Sequence, residues 1–214
     1  MDVRSTSSAI PIYQKYPYRT GAGTGIVAFL LGYVITYLTS VRLTTLITEN
    51  PPVSDLPTSP SREVVVGWFF VNAHLVTIEF QSADWSDGGV NYVILVGELS
   101  RELLLVPPIL LFCAGFLVGY LLEVRERTGV LWTGLSLIPG YLFCSIVVAI
   151  AAVVTFPREA AEFPGGAGPE LFPVMVLMGI TYPLVFGAAG AGAVTVWRKR
   201  TNDEPPRERT FSTH

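Results

Sequence analysis

The stretch VVVGWFFVNAHLVTIEF, residues Val64 to Phe80, decides how the rest of this 214-residue chain is arranged. It is almost entirely apolar, but Asn72 and His74 interrupt it, and four longer apolar stretches surround it. As a helix, the part from Val64 to Ile78 measures about 22 Å, which is short of the ~30 Å core of a bilayer. Whether this stretch crosses a membrane sets the side on which every later segment lies.

The longer apolar stretches predict four membrane crossings. The chain is 50% hydrophobic and 14% charged, whereas an ordinary soluble domain carries about a quarter charged residues. Each stretch exceeds the ~18 apolar residues that a spanning helix needs, so a soluble fold is excluded. The predicted fold is an all-α membrane protein with a four-transmembrane-helix bundle. Its crossings are residues 21–47, 103–122, 129–156 and 171–197.

The distribution of basic residues predicts the orientation, because lysine and arginine favour the cytoplasmic side of short loops. With four crossings and a cytoplasmic N-terminus, ten of the 14 basic residues lie inside and four outside. A fifth crossing at Val64–Ile78 would leave five inside and nine outside. We therefore predict a plasma-membrane protein with both termini cytoplasmic. The cytoplasmic parts are a tail at 1–20, a turn at 123–128 and a disordered tail at 198–214.

The stretch Val64–Phe80 then belongs to an external loop, residues 48–102. We predict a short helix at about Val64–His74 on the membrane surface, with Trp68, Phe69 and Phe70 at the headgroup level, where aromatic rings are favoured. These three side chains are predicted to pack on the outer ends of the four helices. VTIEF alternates as a half-buried strand does, and VNYVILV is rich in β-branched and aromatic residues. They predict a β-hairpin that pairs Val76–Phe80 with Val90–Leu95. Residues 157–170 are predicted as a second external loop.

Three residues of this stretch form the candidate functional or structural cluster: Trp68, Asn72 and His74. His74 would serve as an external pH sensor or as a metal ligand. A metal site needs three or four ligands, however, and the other histidine ends the opposite tail. We therefore favour a structural, hydrogen-bonding role and expect neither a metal nor another cofactor.

Soft ligands inside the crossings offer a second, weaker metal hypothesis, a copper(I) site. They are Met175, Met178, Cys113 and Cys144. Simple packing by these side chains, with both cysteines as free thiols, is the favoured interpretation.

Small residues on two crossings predict close helix packing, since they let helices approach in lipid. Gly115 and Gly119 share one face of the second crossing, and Gly187 and Gly190 lie on the fourth. Packing within the chain is the favoured interpretation, and contact with a second copy or with a partner's helix is the alternative. Pro139, followed by glycine, is the best candidate for a kink.

The linear order resembles a haloarchaeal family of small four-helix integral membrane proteins of unknown function, sometimes labelled transporters. The resemblance lies in GAGTGIVAFLLGYVITYL (Gly21–Leu38) and VGWFFVNAHLV (Val66–Val76), followed by three more crossings. An acidic external side and two lysines against twelve arginines are also typical of proteins that work in high salt. The resemblance implies an archaeal plasma membrane and supplies no active site.

The sequence favours a non-enzymatic role. The centres of the predicted crossings carry no ionisable Asp, Glu, Lys, Arg or His, which proton relays and ion pathways usually need. The chain has no phosphate loop, nucleophile motif or zinc signature. We predict an accessory or assembly component of the cell envelope; the alternative is a small transporter or channel subunit. Its partners would be the lipid bilayer and either a second copy or another membrane protein, and not nucleic acid.

Overall fold

The computed structural model describes residues 18–48, 60–81, 90–93, 101–155 and 166–203. The first half contains α1 (Tyr18–Thr48), α2 (Arg62–Asn72), β1 (Ile78–Gln81), β2 (Val90–Val93), a 3₁₀-helix (Arg101–Leu105) and α3 (Val106–Leu121). The second half contains α4 (Arg127–Ala151), β3 (Val154–Thr155), β4 (Gly166–Pro169), α5 (Leu171–Pro173), a π-helical segment (Val174–Thr181) and α6 (Tyr182–Asp203).

Four helices are long and apolar enough to cross a membrane, as the sequence predicted. They are Tyr18–Ser40, Glu102–Leu121, Arg127–Ala151 and Leu171–Thr201. Large apolar side chains on them, such as Leu38, Phe143 and Phe172, are exposed. Exposed apolar surface of this extent is expected where helices face lipid.

Aromatic contacts show which helix ends lie together. Tyr18 packs on Trp132, and Tyr120 packs on Trp197. The start of α1, the end of α3, the start of α4 and the end of α6 therefore share one end of the bundle, which we call the terminal end. α6 continues as far as Asp203, so residues 198–203, which were predicted to belong to a disordered tail, are helical. Residues 1–17 and 204–214, which hold most of the predicted cytoplasmic tails, lie outside the described residues.

The opposite end, which we call the sheet end, carries a four-stranded antiparallel sheet in the order β2-β1-β4-β3. The predicted hairpin is present, because β1 pairs with β2 and places Ile78 opposite Val93. β4 pairs with β1 on its other edge and with β3. The sheet therefore joins the two connections that the sequence analysis treated as separate external loops.

Two predicted boundaries are corrected by this sheet. The third crossing was predicted to reach residue 156, but α4 ends at Ala151 and Val154–Thr155 forms β3. Gly166–Pro169, predicted as loop, forms β4. The sequence GAGP has no strand pattern of its own, and its backbone is extended because it pairs with its two neighbours.

The predicted surface position of α2 is wrong, because this helix lies inside the bundle, antiparallel to α1. At its start, the Arg62 guanidinium lies 4.9 Å from the centre of the Tyr37 ring. Phe70 follows Arg62 by eight residues in α2, and its ring lies 5.0 Å from the ring of Phe29, which precedes Tyr37 by eight residues in α1. Equal steps of about 12 Å along both helices show that α2 runs from the sheet end towards the terminal end.

The chain then turns and returns to the sheet end as β1. Gly67 faces Ala152 at the end of α4, whereas His74 reaches Tyr141, ten residues before the helix ends. Seven residues of helix measure about 10 Å, so His74 lies about 10 Å further from the sheet end than Gly67. We call residues 62–81 the re-entrant segment. It neither crosses the bundle nor lies on its surface.

The aromatic residues predicted at the headgroup level are therefore in the core. Trp68, Phe69 and Phe70 have no exposed surface. The indole N–H of Trp68 donates to the carbonyl of Ala152 at 2.7 Å, a group that has no partner within its own helix because it follows the end of α4. Burial is favourable because the rings contribute large apolar area and the one polar group of Trp68 is bonded.

Candidate functional site

The re-entrant segment turns back at residues 73–77, which we call the tip. Leu75 has a φ of 62°, the left-handed conformation that commonly follows the end of a helix. Its N–H bonds to the Asn72 carbonyl at 2.8 Å, and the Asn72 side-chain amide donates to the carbonyl of Val76. Irregular backbone away from water needs such internal partners, so these bonds allow the chain to reverse inside the bundle.

His74 lies at the tip and is fully buried. Its Nδ1 is 2.8 Å from the carbonyl oxygen of Phe70, and its Nε2 is 2.7 Å from the Tyr141 hydroxyl oxygen. Because a carbonyl oxygen only accepts, Nδ1 must carry the proton and donate it. Nε2 of the neutral ring then accepts, and the Tyr141 hydroxyl donates to it. The hydrogen bonds thus select one tautomer and tie the tip to α4.

Aromatic rings from three further elements surround this bond. The His74 ring centre lies 5.0 Å from that of Phe70 and 4.9 Å from that of Tyr182. Phe29 of α1 packs edge-on against Tyr141 at 5.1 Å. The tip is therefore held jointly by α1, α4 and the fourth apolar helix.

The position of Tyr182 follows from an irregularity in the fourth apolar helix. Pro183 has no N–H and cannot continue the α-helical bond pattern. The helix is π-helical over Val174–Thr181, immediately before it, and the Thr181 hydroxyl donates to a carbonyl five residues earlier at 2.8 Å. Short π-helical segments are frequent at functional sites. This one ends at Thr181, one residue before Tyr182, whose ring packs on His74.

The electrostatics favour a neutral His74. Burial lowers its pKa from 6.5 to about 3, although the hydrogen bond to Phe70 acts in the opposite direction. Both ring nitrogens are engaged, so metal binding at Nε2 would require the bond to Tyr141 to break. Protonation at Nε2 would require the Tyr141 hydroxyl to turn and accept where it now donates. Among the described residues, no three His, Cys, Asp or Glu side chains are grouped so as to hold a metal ion. The arrangement in this conformation acts as a hydrogen-bonded clamp.

The three residues singled out from the sequence are all buried on the re-entrant segment, but their hydrogen bonds lead to different partners. Trp68 bonds to the end of α4, Asn72 closes the tip, and His74 bonds to Tyr141. Sequence reasoning missed Tyr141, which is 67 residues away from His74. The available signal was a tyrosine inside an apolar crossing, because a buried phenol hydroxyl usually finds a partner.

The predicted packing glycines make close contacts within the chain, between α3 and the fourth apolar helix. A Cβ atom on Gly115 would overlap the backbone of Gly187, and one on Gly119 would lie 3.0 Å from the Cα of Ala191. A Cβ on Gly190 would likewise overlap the backbone of α3. These helices therefore approach through their backbones, and larger residues would separate them.

The remaining singled-out residues lie within or beside the helices as follows. Pro139, the proposed kink, lies inside α4, which remains α-helical from Arg127 to Ala151. The kink at Pro139 stays a prediction, and a departure from α-helical geometry is present in the π-helical segment of the fourth apolar helix. Cys113 is an exposed free thiol, and Cys144 is a half-buried one.

The chain belongs to a family of unknown function, DUF7978, whose model matches residues 2–199. The matched range includes the re-entrant segment and nearly all of the fourth apolar helix. No curated protein and no solved structure matches the chain.

Proposed function

We propose that this chain is a non-enzymatic, multi-pass protein of an archaeal plasma membrane that serves as an accessory or assembly component of the cell envelope. The observation that carries the proposal is the filled interior next to the sheet. Trp68, Phe69, Phe70 and His74 have no exposed surface, and Tyr141 has 1%. A side chain without accessible surface adjoins no water-sized void, so water and ions have no route beside these residues in this conformation.

The membrane orientation in this proposal has both termini in the cytoplasm and the sheet outside. Its support is the excess of basic residues at the terminal end, where cytoplasmic loops carry them. Cysteine scanning tests it in a background without Cys113 and Cys144. An impermeant thiol reagent should label Thr155→Cys in intact cells and should label Glu126→Cys only after the cells are opened. The reverse pattern would invert the orientation.

The partner would be another membrane protein or a second copy of this chain. The contacts of Gly115 and Gly187 are made within the chain, so a partner would bind a different surface. Affinity purification of the full chain from native membranes, after mild crosslinking, should recover a defined partner in fixed ratio. Recovery of the monomer alone would count against an accessory role. No contact with nucleic acid is proposed.

A small transporter or channel subunit is the second candidate, and one observation favours it. The re-entrant segment places two polar residues inside the bundle, Asn72 and, at the tip, His74, and His74 packs on the residue that follows the π-helical segment. Elements of this kind at membrane depth commonly line binding sites or gates.

Reconstitution of the purified full chain into liposomes separates the two candidates. If the chain is an accessory component, fluxes of protons, sodium, potassium and small solutes into liposomes that contain it should equal those into empty liposomes. A reproducible flux that Tyr141→Phe alters, but that Tyr120→Phe at the terminal end does not, would replace the accessory reading with the transporter reading.

A further inference from the structure

A cleft at the terminal end lies between the turn that joins α3 to α4 and the last turns of α6. Its volume is about 380 Å³, and it is lined by Glu123, Val124, Arg125, Thr195, Arg198 and Lys199. This volume falls within the range of small-molecule sites. None of these residues belongs to the re-entrant segment or to the contacts of its tip.

The lining carries more positive than negative charge. Among the described residues of the lining, three are basic and one, Glu123, is acidic. Arg125 and Glu123 form an ion pair of 3.7 Å, but their side chains are 79% and 72% exposed. A pair this exposed is weak, so it leaves the cleft attractive to an anion.

Arg198 is held in place for such a role. Its Nη2 donates to the carbonyl of Tyr120 at 2.8 Å, and its guanidinium lies 5.2 Å from the centre of the Tyr120 ring. A guanidinium has five N–H donors in a planar fork that suits phosphate oxygens. The contact with Tyr120 holds the guanidinium at the edge of the cleft.

The side chains beside the cleft indicate the membrane boundary. The rings of Tyr120 and Trp197 lie 6.2 Å apart, and these residues are 47% and 49% exposed. Leu121, next to Tyr120, is 58% exposed. Tyr and Trp favour the headgroup level of a bilayer, and basic pockets between helices at this level suit phosphate headgroups.

We propose that this cleft binds the phosphate of an anionic phospholipid, with Arg125, Arg198 and Lys199 as the residues that hold it. A free phosphate ion shares the same chemistry. The lipid is favoured because exposed apolar and aromatic side chains adjoin the cleft and offer a surface to acyl chains. The proposal does not depend on the function proposed above.

The test uses the purified full chain in neutral detergent, with native mass spectrometry to measure the affinity for the first added lipid. Phosphatidylglycerol is the anionic probe and zwitterionic phosphatidylcholine the comparison. Each basic residue near a headgroup is worth roughly a fivefold change in affinity. The double variant Arg125→Gln/Lys199→Gln should therefore weaken phosphatidylglycerol binding about 25-fold and weaken phosphatidylcholine binding much less, because the choline cation offsets the charge of its phosphate.

The matched control is Arg19→Gln/Arg127→Gln, which removes the same charge from the same end but outside the cleft lining. It should change phosphatidylglycerol binding less than about threefold, since screening weakens more distant charges. If the double variant unfolds, as judged by thermal melting, Lys199→Gln alone should still weaken binding about fivefold.

Three results would overturn the proposal. Equal losses in the cleft variant and in the control would mean general surface attraction. Equal affinities of the unaltered protein for the two lipids would remove the anion preference. Displacement of phosphatidylglycerol by an equal concentration of inorganic phosphate would identify a site for a free anion and not for a lipid.

Discussion

Replacing Tyr141 by phenylalanine removes a single oxygen and tests how the tip is held. The Tyr141 hydroxyl is the donor 2.7 Å from Nε2 of His74, and both residues are buried. Without it, Nε2 remains a buried acceptor with no donor, which costs about 1–3 kcal/mol. The phenylalanine ring would keep its packing against Phe29. If His74 instead lay at the membrane surface, water would replace the hydroxyl and the cost would be close to zero.

The assay is the free energy of unfolding in mixed micelles, measured by titration with SDS. Tyr182→Phe is the matched control, because the Tyr182 ring packs on His74 at 4.9 Å without a described hydrogen bond from its hydroxyl. It should cost less than about 1 kcal/mol. In a double-mutant cycle, His74→Ala and Tyr141→Phe should be non-additive by at least about 0.5 kcal/mol. Equal costs for the two tyrosine variants, with additive effects in the cycle, would refute the clamp.

Three further predictions concern stability in the same assay. Burial lowers the pKa of His74 in the folded state from 6.5 to about 3. As the pH falls below 6.5, His74 is therefore protonated in the unfolded state while it stays neutral in the folded state. The free energy of unfolding should be greatest above pH 6.5 and fall by about 1.4 kcal/mol per pH unit towards pH 3. His74→Gln should remove this slope above about pH 5, where the carboxylates stay ionised, and an unchanged slope in that range would contradict the buried position. Gly115→Ala should destabilise by about 1–3 kcal/mol through backbone overlap, whereas Gly23→Ala, whose Cβ would meet nothing within 4 Å, should be neutral or stabilising. Glu123 has a φ of 50°, so Glu123→Gly should stabilise the protein by about 0.5–1 kcal/mol. The control Glu126→Gly lies at an extended position and should not stabilise it. Equal effects of the two substitutions would argue against backbone strain at Glu123.

The four apolar helices and the β1–β2 pairing could be predicted from the sequence because both depend on local patterns. Uninterrupted apolar runs set the helices, and the alternation in VTIEF and the composition of VNYVILV set the strands. β3 and β4 could not be predicted in this way. Gly166–Pro169 resembles a turn by composition, and it becomes a strand only through pairing with distant partners.

The path of α2 could not be predicted because its composition suits two environments. Trp68, Phe69 and Phe70 are equally typical of a membrane interface and of a buried core. The difference is made by residues elsewhere in the chain. Gly32 leaves room for the Phe70 ring, and the end of α4 offers an unpaired carbonyl to Trp68. Such pairings join segments that are far apart in the chain and leave no mark on the local composition of α2.

The candidate site was identified only in part for the same reason. His74 and Asn72 stood out as polar residues in an apolar stretch, but the partner of His74 lies 67 residues away on α4. The π-helical segment before Pro183 was also missed. Proline predicts an interrupted helix, but the form of the interruption depends on how neighbouring helices pack.

The depth of Leu75 tests most directly whether Val64–Phe80 enters the bundle and returns. Leu75 lies at the tip and is 59% exposed, so a spin label there would not disturb the core. Leu75→Cys would be spin-labelled in a protein without Cys113 and Cys144 and reconstituted into liposomes. Power saturation would then measure how accessible the label is to oxygen and to a water-soluble nickel complex. References would be labels at Thr155 in the sheet and Phe143 in α4.

We expect the Leu75 label to be accessible to oxygen and protected from nickel, like the label at Phe143, and to lie about 10 Å deeper than the label at Thr155. Nickel accessibility equal to that at Thr155 would place the tip at the membrane surface and contradict the re-entrant path.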